Sequence, residues 1–243
     1  MVEIRTDDGV ADAYLAHSDG EGGPAVLFIM DAFGLRPRIE EMADRIAERG
    51  YVVLAPNVFY RGGPAPLAPM PDLAEPEGRA KFMQTIRPLM EQLTPEAAAS
   101  DGRAYLDYLA EIAPGQVALV GYCMGARFAW RIAAAHPDRV AAVAGFHAGG
   151  MVTDAPDSPH LAAPQVRAEV YFGHADADPN MAPEQIAALD RALDEAGVRR
   201  RTELYEGAKH GYTMSDSPVY DEAATERHFR ELFALLERAL APV

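Results

Sequence analysis

This 243-residue chain contains a single cysteine, Cys123, set in Gly121-Tyr-Cys-Met-Gly125, with carboxylates and histidines further along. A thiol becomes an acyl-transfer nucleophile when a base removes its proton and a third group fixes the tautomer of that base. His210 and Asp176 are the candidates for those two tasks. Before the cysteine runs Val117-Ala-Leu-Val, apolar and β-branched, and after it Ala126-Arg-Phe-Ala-Trp-Arg-Ile-Ala-Ala-Ala-His136 has helical composition. Strand, sharp turn and helix are therefore expected around the sulfur. The two glycines fit that geometry, because a side chain on a strained turn leaves no room for flanking Cβ atoms. The following helix points its positive end at the sulfur and favours thiolate. A lone cysteine among apolar residues is more often core, so the surrounding elements have to decide.

Those elements alternate. Residues 2–16 read as an antiparallel hairpin turning at Asp7-Asp8-Gly9, and residues 17–23 as a polar turn. Near-continuous apolar runs at 24–30, 51–55, 117–120, 140–146, 169–173 and 201–205 suit strands buried on both faces of a parallel sheet. Helical patterns lie between them at 37–50, 94–109, 126–136 and 183–197, with a last amphipathic helix over 221–240. The proline-rich stretch 57–76 reads as a long irregular excursion. The sum is one α/β domain spanning 1–243, with helices on both faces of a mostly parallel sheet. Cys123, Asp176 and His210 each follow a strand, at the sheet edge where ligands bind.

Composition narrows the partners. A net charge of −15 and an isoelectric point near 4.8 argue against nucleic acid and anionic membranes. One cysteine allows no intrachain disulfide, which fits a reducing compartment. No signal peptide or membrane span is legible at the start of the chain, so a cytoplasmic location is expected. The expected partner is a small molecule, and the chain is expected to act as a monomer or weak dimer.

The order nucleophile, acid, histidine is that of α/β-hydrolase triads. The chain resembles the dienelactone hydrolase family over nearly its whole length. The likeness rests on Gly-Tyr-Cys-Met-Gly at 121–125, Phe33-Gly34, Val-Phe-Tyr-Arg at 58–61, Gly-x-x-Asp at 173–176 and Glu-Gly-Ala-Lys-His-Gly at 206–211. It implies the α/β-hydrolase fold, a Cys123–His210–Asp176 triad, no metal or organic cofactor, and hydrolysis of esters or lactones through an acyl-enzyme. Backbone N–H groups of Ala32 and Met124 would receive the oxyanion. Asp31 stands where well-known members carry a Glu that handles the thiol proton. Arg61 matches one of two arginines that clamp a substrate carboxylate, whereas Met214 occupies the place of the other. Half a clamp disfavours dienelactone itself and favours a small activated ester or lactone more generally.

Other readings are open. Asp178 is the alternative orienting acid. Phe33, Tyr122 and Tyr212 are candidates to line the substrate pocket, with Phe59 beside them; Trp130, two turns along its helix, reads as core. His147 follows a central strand and is a further pocket candidate. His17, His136 and His228 carry no assignment, His228 being expected on the polar side of the last helix. The spacing of His147, His160, His174, Asp176 and Asp178 fits no standard metal site. A broad carboxylesterase or thioesterase is the nearest rival function. A redox-sensing thiol and a non-catalytic binding module on the same fold are further alternatives.

Overall fold

The computed structural model describes residues 1–17, 22–73 and 75–241. The turn expected over 17–23 lies largely outside them. Eight strands form one sheet: β1 (Val2–Thr6), β2 (Gly9–Ala16), β3 (Ala25–Ile29), β4 (Val52–Pro56), β5 (Val117–Tyr122), β6 (Val140–Phe146), β7 (Glu169–Ala175) and β8 (Arg200–Tyr205). The helices are α1 (Pro37–Ala47), α2 (Pro76–Glu91), α3 (Pro95–Ile112), α4 (Met124–Ala135), α5 (Pro183–Glu195) and α6 (Glu222–Ala239).

The sheet order is β1-β2-β4-β3-β5-β6-β7-β8. The β1–β2 hairpin is antiparallel and joins β4 antiparallel, and every pairing from β4 to β8 is parallel. Every residue of β3, β4 and β5 is buried, as expected of parallel strands covered on both faces. Helices α3 and α4 pack on each other, while Arg45 of α1 pairs with Glu226 of α6 at 2.6 Å. Helix starts follow local chemistry: Thr94 caps α3 by accepting from the Ala97 N–H, ahead of Pro95, and Asp221 caps α6 by accepting from Ala224. Among the described residues no helix is long and apolar enough to cross a membrane.

Three features depart from the sequence-based expectation. β7 runs two residues further than expected, to Ala175. The chain after the proline-rich excursion forms α2, opened by Pro76 at its first turn and burying Phe82 and Ile86 one turn apart. His228 does not face solvent: it is fully buried, and its Nε2 shares a 2.7 Å hydrogen bond with the Tyr122 hydroxyl. Trp130 is core, its indole N–H donating to the Pro159 carbonyl.

His174, on β7, is buried against Phe172 and neither ring nitrogen has a hydrogen-bond partner. Burial pushes its pKa down from 6.5 to about 4, and that of His228 to about 3. The unfolded chain therefore takes up protons near pH 6.5 that the folded chain refuses. Stability is complete above 6.5 and is lost as pH falls toward those folded values. Between pH 6.5 and 5 the loss through His174 should be about 2 kcal/mol. In urea unfolding at pH 7.5 and pH 5, His174→Leu should gain about that much on wild type at the lower pH; an unchanged difference would contradict a neutral buried imidazole.

Candidate active site

The turn between β5 and α4 holds Cys123 at φ 56° and ψ −121°, in the region that disfavours side chains. The conformation is enforced by close packing on either side. A Cβ at Gly121 would run into the Gly125 carbonyl, and one at Gly125 into the Met30 and Ile29 carbonyls at the end of β3. The Cys123 N–H donates to Phe146 of β6 at 3.1 Å, which ties the turn to the neighbouring strand. The thiol therefore stands above the sheet edge at the start of α4.

His210, on the loop after β8, meets this sulfur, with Nε2 3.0 Å from Sγ. Its Nδ1 lies 2.6 Å from Oδ2 of Asp178. The acid beside the histidine is thus Asp178, and the expectation of Asp176 is corrected. Because β7 extends to Ala175, the strand end moves along by two residues, and the acid moves with it. Asp176 instead ties the turn after β8: its N–H donates to the Ala208 carbonyl and its carboxylate accepts from Gly207 at 2.9 Å. Ala177, at φ 49°, reverses the chain between the two acids. Asp178 is buried and also accepts from the backbone and side-chain N–H groups of Asn180. Burial alone would raise its pKa, but the His210 and Asn180 hydrogen bonds outweigh that and hold it down. Burial likewise disfavours the His210 cation, yet its contacts with Asp178 and Cys123 carry its pKa up to about 10.

The sulfur opens into a small chamber lined by Ala32, Phe33, Leu73, His210, Gly211 and Met214. Ala32 and Met124 lie where the oxyanion contacts were expected. Met124 opens α4, where an N–H has no intrahelical acceptor. Asp31 also lines the chamber, but both its oxygens are held by Arg36, at 2.6 and 3.1 Å, and it accepts from the Phe33 N–H. It makes no hydrogen bond to the sulfur. Arg36 is itself buried and reaches across to Asp216 at 2.6 Å. Desolvation would lower its pKa, but Asp31 and Asp216 together raise it. This pairing joins the loop after β3 to the segment after His210.

Several pocket expectations change. Arg61 lies away from the chamber, because it pairs with Asp8 and with the fully buried Asp101, at 2.6 and 2.8 Å. Tyr122 and Tyr212 are fully buried, their hydroxyls committed to His228 and the Gly173 carbonyl. Both belong to the packing beneath the site. Phe33 does line the chamber, as does His147, whose Nε2 meets the Thr213 hydroxyl at 2.8 Å. The residue that sequence reasoning passed over is Arg79. It lies on α2, lines the chamber, and among the described residues pairs with no carboxylate. The i, i+4 pair Phe82 and Ile86 was the available signal for its helix. Among the described residues no cluster of three or more histidine, cysteine or acidic side chains is arranged to hold a metal ion.

This fold, with a nucleophile elbow and a histidine–acid pair at one sheet edge, is that of the α/β-hydrolases. A provisionally named dienelactone hydrolase of Klebsiella pneumoniae has the same architecture, with a TM-score of 0.82 over 97% of this chain and 96% of that one, at 18% identity. The model of the dienelactone hydrolase family matches residues 11–240, and the chain belongs to that family as a hydrolase of its type. A provisionally named carboxymethylenebutenolidase of Synechocystis is 27% identical over 249 residues, covering 99% of this chain and 96% of its relative. A carboxymethylenebutenolidase homolog of Mus musculus is also 27% identical, over 87% of this chain and 82% of that one.

The two acids after β7 should separate cleanly. Asp178→Asn, which replaces the anionic acceptor of His210 with a neutral amide, should lower kcat on an aryl ester by about 10²–10⁴. Asp176→Asn should stay within a few-fold of wild type. Steady-state kinetics on the two variants checks the assignment, and a reversed order would overturn it.

Proposed function

We propose that this hydrolase cleaves small activated esters or lactones with Cys123 as nucleophile, His210 as acid and base, and Asp178 as the group that orients His210. The observation that supports this best is the unbroken line Sγ to Nε2 at 3.0 Å and Nδ1 to Oδ2 at 2.6 Å. With its pKa carried up to about 10 by Asp178 and Cys123, His210 rests as an imidazolium whose Nε2–H faces the sulfur.

The thiolate attacks the substrate carbonyl, the new C–S bond pushes an electron pair onto oxygen, and the Ala32 and Met124 N–H groups receive that charge. As the tetrahedral species collapses, the C–O bond breaks and His210 delivers its Nε2 proton to the departing oxygen. With the sulfur acylated, the negative partner that stabilised the imidazolium has gone. Neutral His210 then takes a proton from water, which hydrolyses the thioester and restores the starting pair. Enolates and aryloxides leave more readily than plain alkoxides, so activated substrates suit this site. Asp31 takes no part in proton transfer and shapes the oxyanion loop through Arg36.

A carboxylate on the substrate has a partner at the chamber in Arg79. Arg79 is exposed and among the described residues pairs with no carboxylate, as a ligand-binding cation requires. Arg61 takes no part in binding, being neutralised by Asp8 and Asp101.

Hydrolysis of p-nitrophenyl acetate and of dienelactone by wild type, Cys123→Ala and Arg79→Ala tests these assignments. Cys123→Ala should lose at least about 10³-fold on both substrates; unchanged turnover would remove the cysteine from the mechanism. Arg79→Ala should raise KM for the lactone about ten-fold or more and leave the neutral ester nearly unaffected. Equal effects on both substrates would deny it a role in carboxylate binding. In wild type, kcat/KM should fall as pH rises through about 10, because the free enzyme then loses the His210 proton that the leaving group needs. A fall beginning near pH 7 would contradict the resting ion pair.

A further inference from the structure

The chamber over Cys123 leaves about 40 Å³ free, room for about three water molecules. That accommodates a reacting carbonyl and little more, so the remainder of any larger substrate has to lie outside it. A second cavity of about 370 Å³ adjoins, roughly nine times as large. Its walls are mainly apolar, with Leu35, Leu67, Met70, Phe82 and Ile86 among them. One side chain, Phe33, belongs to the walls of both cavities.

Phe33 is built as a partition more than as core. It is only partly buried, its ring stacks on Phe82 with centroids 5.6 Å apart, and the Arg36 guanidinium lies 5.7 Å from its centroid. Phe33 is thus the side chain shared by the two spaces, held by ring contacts alone. The place of the partition in the chamber identifies what crosses it. The leaving oxygen has to lie beside Nε2 of His210. Phe33 instead follows Ala32 in the chain, and its ring meets Phe82 and Arg36 rather than His210, so what reaches it is the acyl part of the substrate.

Resting on the Cys123 hydrolase reading above, we propose that the 370 Å³ cavity is an acyl-chain subsite, taking the unbranched apolar chain of an ester whose carbonyl sits at Cys123, with Phe33 as the movable partition. Each methylene buried there should strengthen binding by up to about four-fold. The cavity is walled by the 33–40 and 65–70 segments and by Phe82 and Ile86 of α2, and it includes none of Cys123, Asp178 and His210.

The test compares p-nitrophenyl acetate with p-nitrophenyl hexanoate on wild type and on Ala68→Trp and Leu67→Trp, two changes that fill the cavity. In wild type kcat/KM should be higher for hexanoate. Both fillings should lower the hexanoate-to-acetate ratio at least about ten-fold; an unaltered ratio in both would overturn the subsite. A binding measurement separates occupancy of the cavity from turnover. Calorimetry on Cys123→Ala should find hexanamide bound at least about ten-fold more tightly than propanamide, and adding Ala68→Trp should abolish the difference. Equal binding of the two amides would likewise overturn the proposal. Absence of any cysteine-dependent ester hydrolysis would sink the hydrolase reading, and the amide measurement would still decide whether the cavity takes an acyl chain.

Discussion

The close approach of α4 to the end of β3 is the constraint on which the site depends. Gly125 lies so near the Met30 and Ile29 carbonyls that no larger residue fits, and this forces the chain through Cys123 into a positive φ. One contact thus does two things: it lifts the thiol above the sheet edge, and it brings the loop carrying Ala32 beside it. The Cys123 turn and the loop carrying Ala32 could not be separated by a small shift of either element without opening that packing. Strand register carries the alignment further. Ile29 lies opposite Gly121, Gly121 opposite Gly145, Gly145 opposite Phe172, and Phe172 opposite Thr202. The loops bearing Cys123, Asp178 and His210 consequently leave the sheet on one edge.

Charge organises what packing leaves free. The loop after β3 and the loop after His210 have no shared strand to hold them, and Arg36 bridges them by pairing with Asp31 and Asp216. A buried ion network of this kind adds little net stability, since desolvation cancels much of the attraction, but loss of one member leaves an uncompensated charge. Its consequence here is geometric: one guanidinium ties the loop after β3 to the segment after His210. It also explains why an acid beside the sulfur is not the acid that serves the histidine. Asp31 is saturated by Arg36, whereas Asp178 faces an imidazole that carries a proton.

The fold was legible in the sequence because buried parallel strands write themselves as apolar runs, and each of the six runs became a strand. The elbow was legible because Gly-x-Cys-x-Gly states both the strain and its relief. The acid was misplaced because Gly173 looked like a strand end, while β7 continues through His174 and Ala175. A histidine in a strand reads as polar, and burial without hydrogen bonds is invisible to pattern. Arg61 was misread for a related reason: its partners Asp8 and Asp101 are remote in sequence, and only the folded chain brings them to it. Arg79 was missed because the prolines before it hid the start of α2.

The acid apart, these failures concern substrate contacts: the 56–91 stretch, or side chains such as Tyr122 and Tyr212 that are fully buried beneath the chamber. The division has a physical origin. Residues that move protons must hold to within a few tenths of an ångström, so they stand on elements whose packing the sequence encodes redundantly. Residues that select a substrate need only present an apolar wall or a cation at the right distance. A proline-rich excursion and a single amphipathic helix can do that, and can vary without disturbing the sheet. Arg79 and Phe82 lie on adjacent turns of α2, the first at the chamber and the second against Phe33. A small displacement of that helix would alter both the charge and the partition that a substrate meets, while the line from Cys123 through His210 to Asp178 stayed as it is.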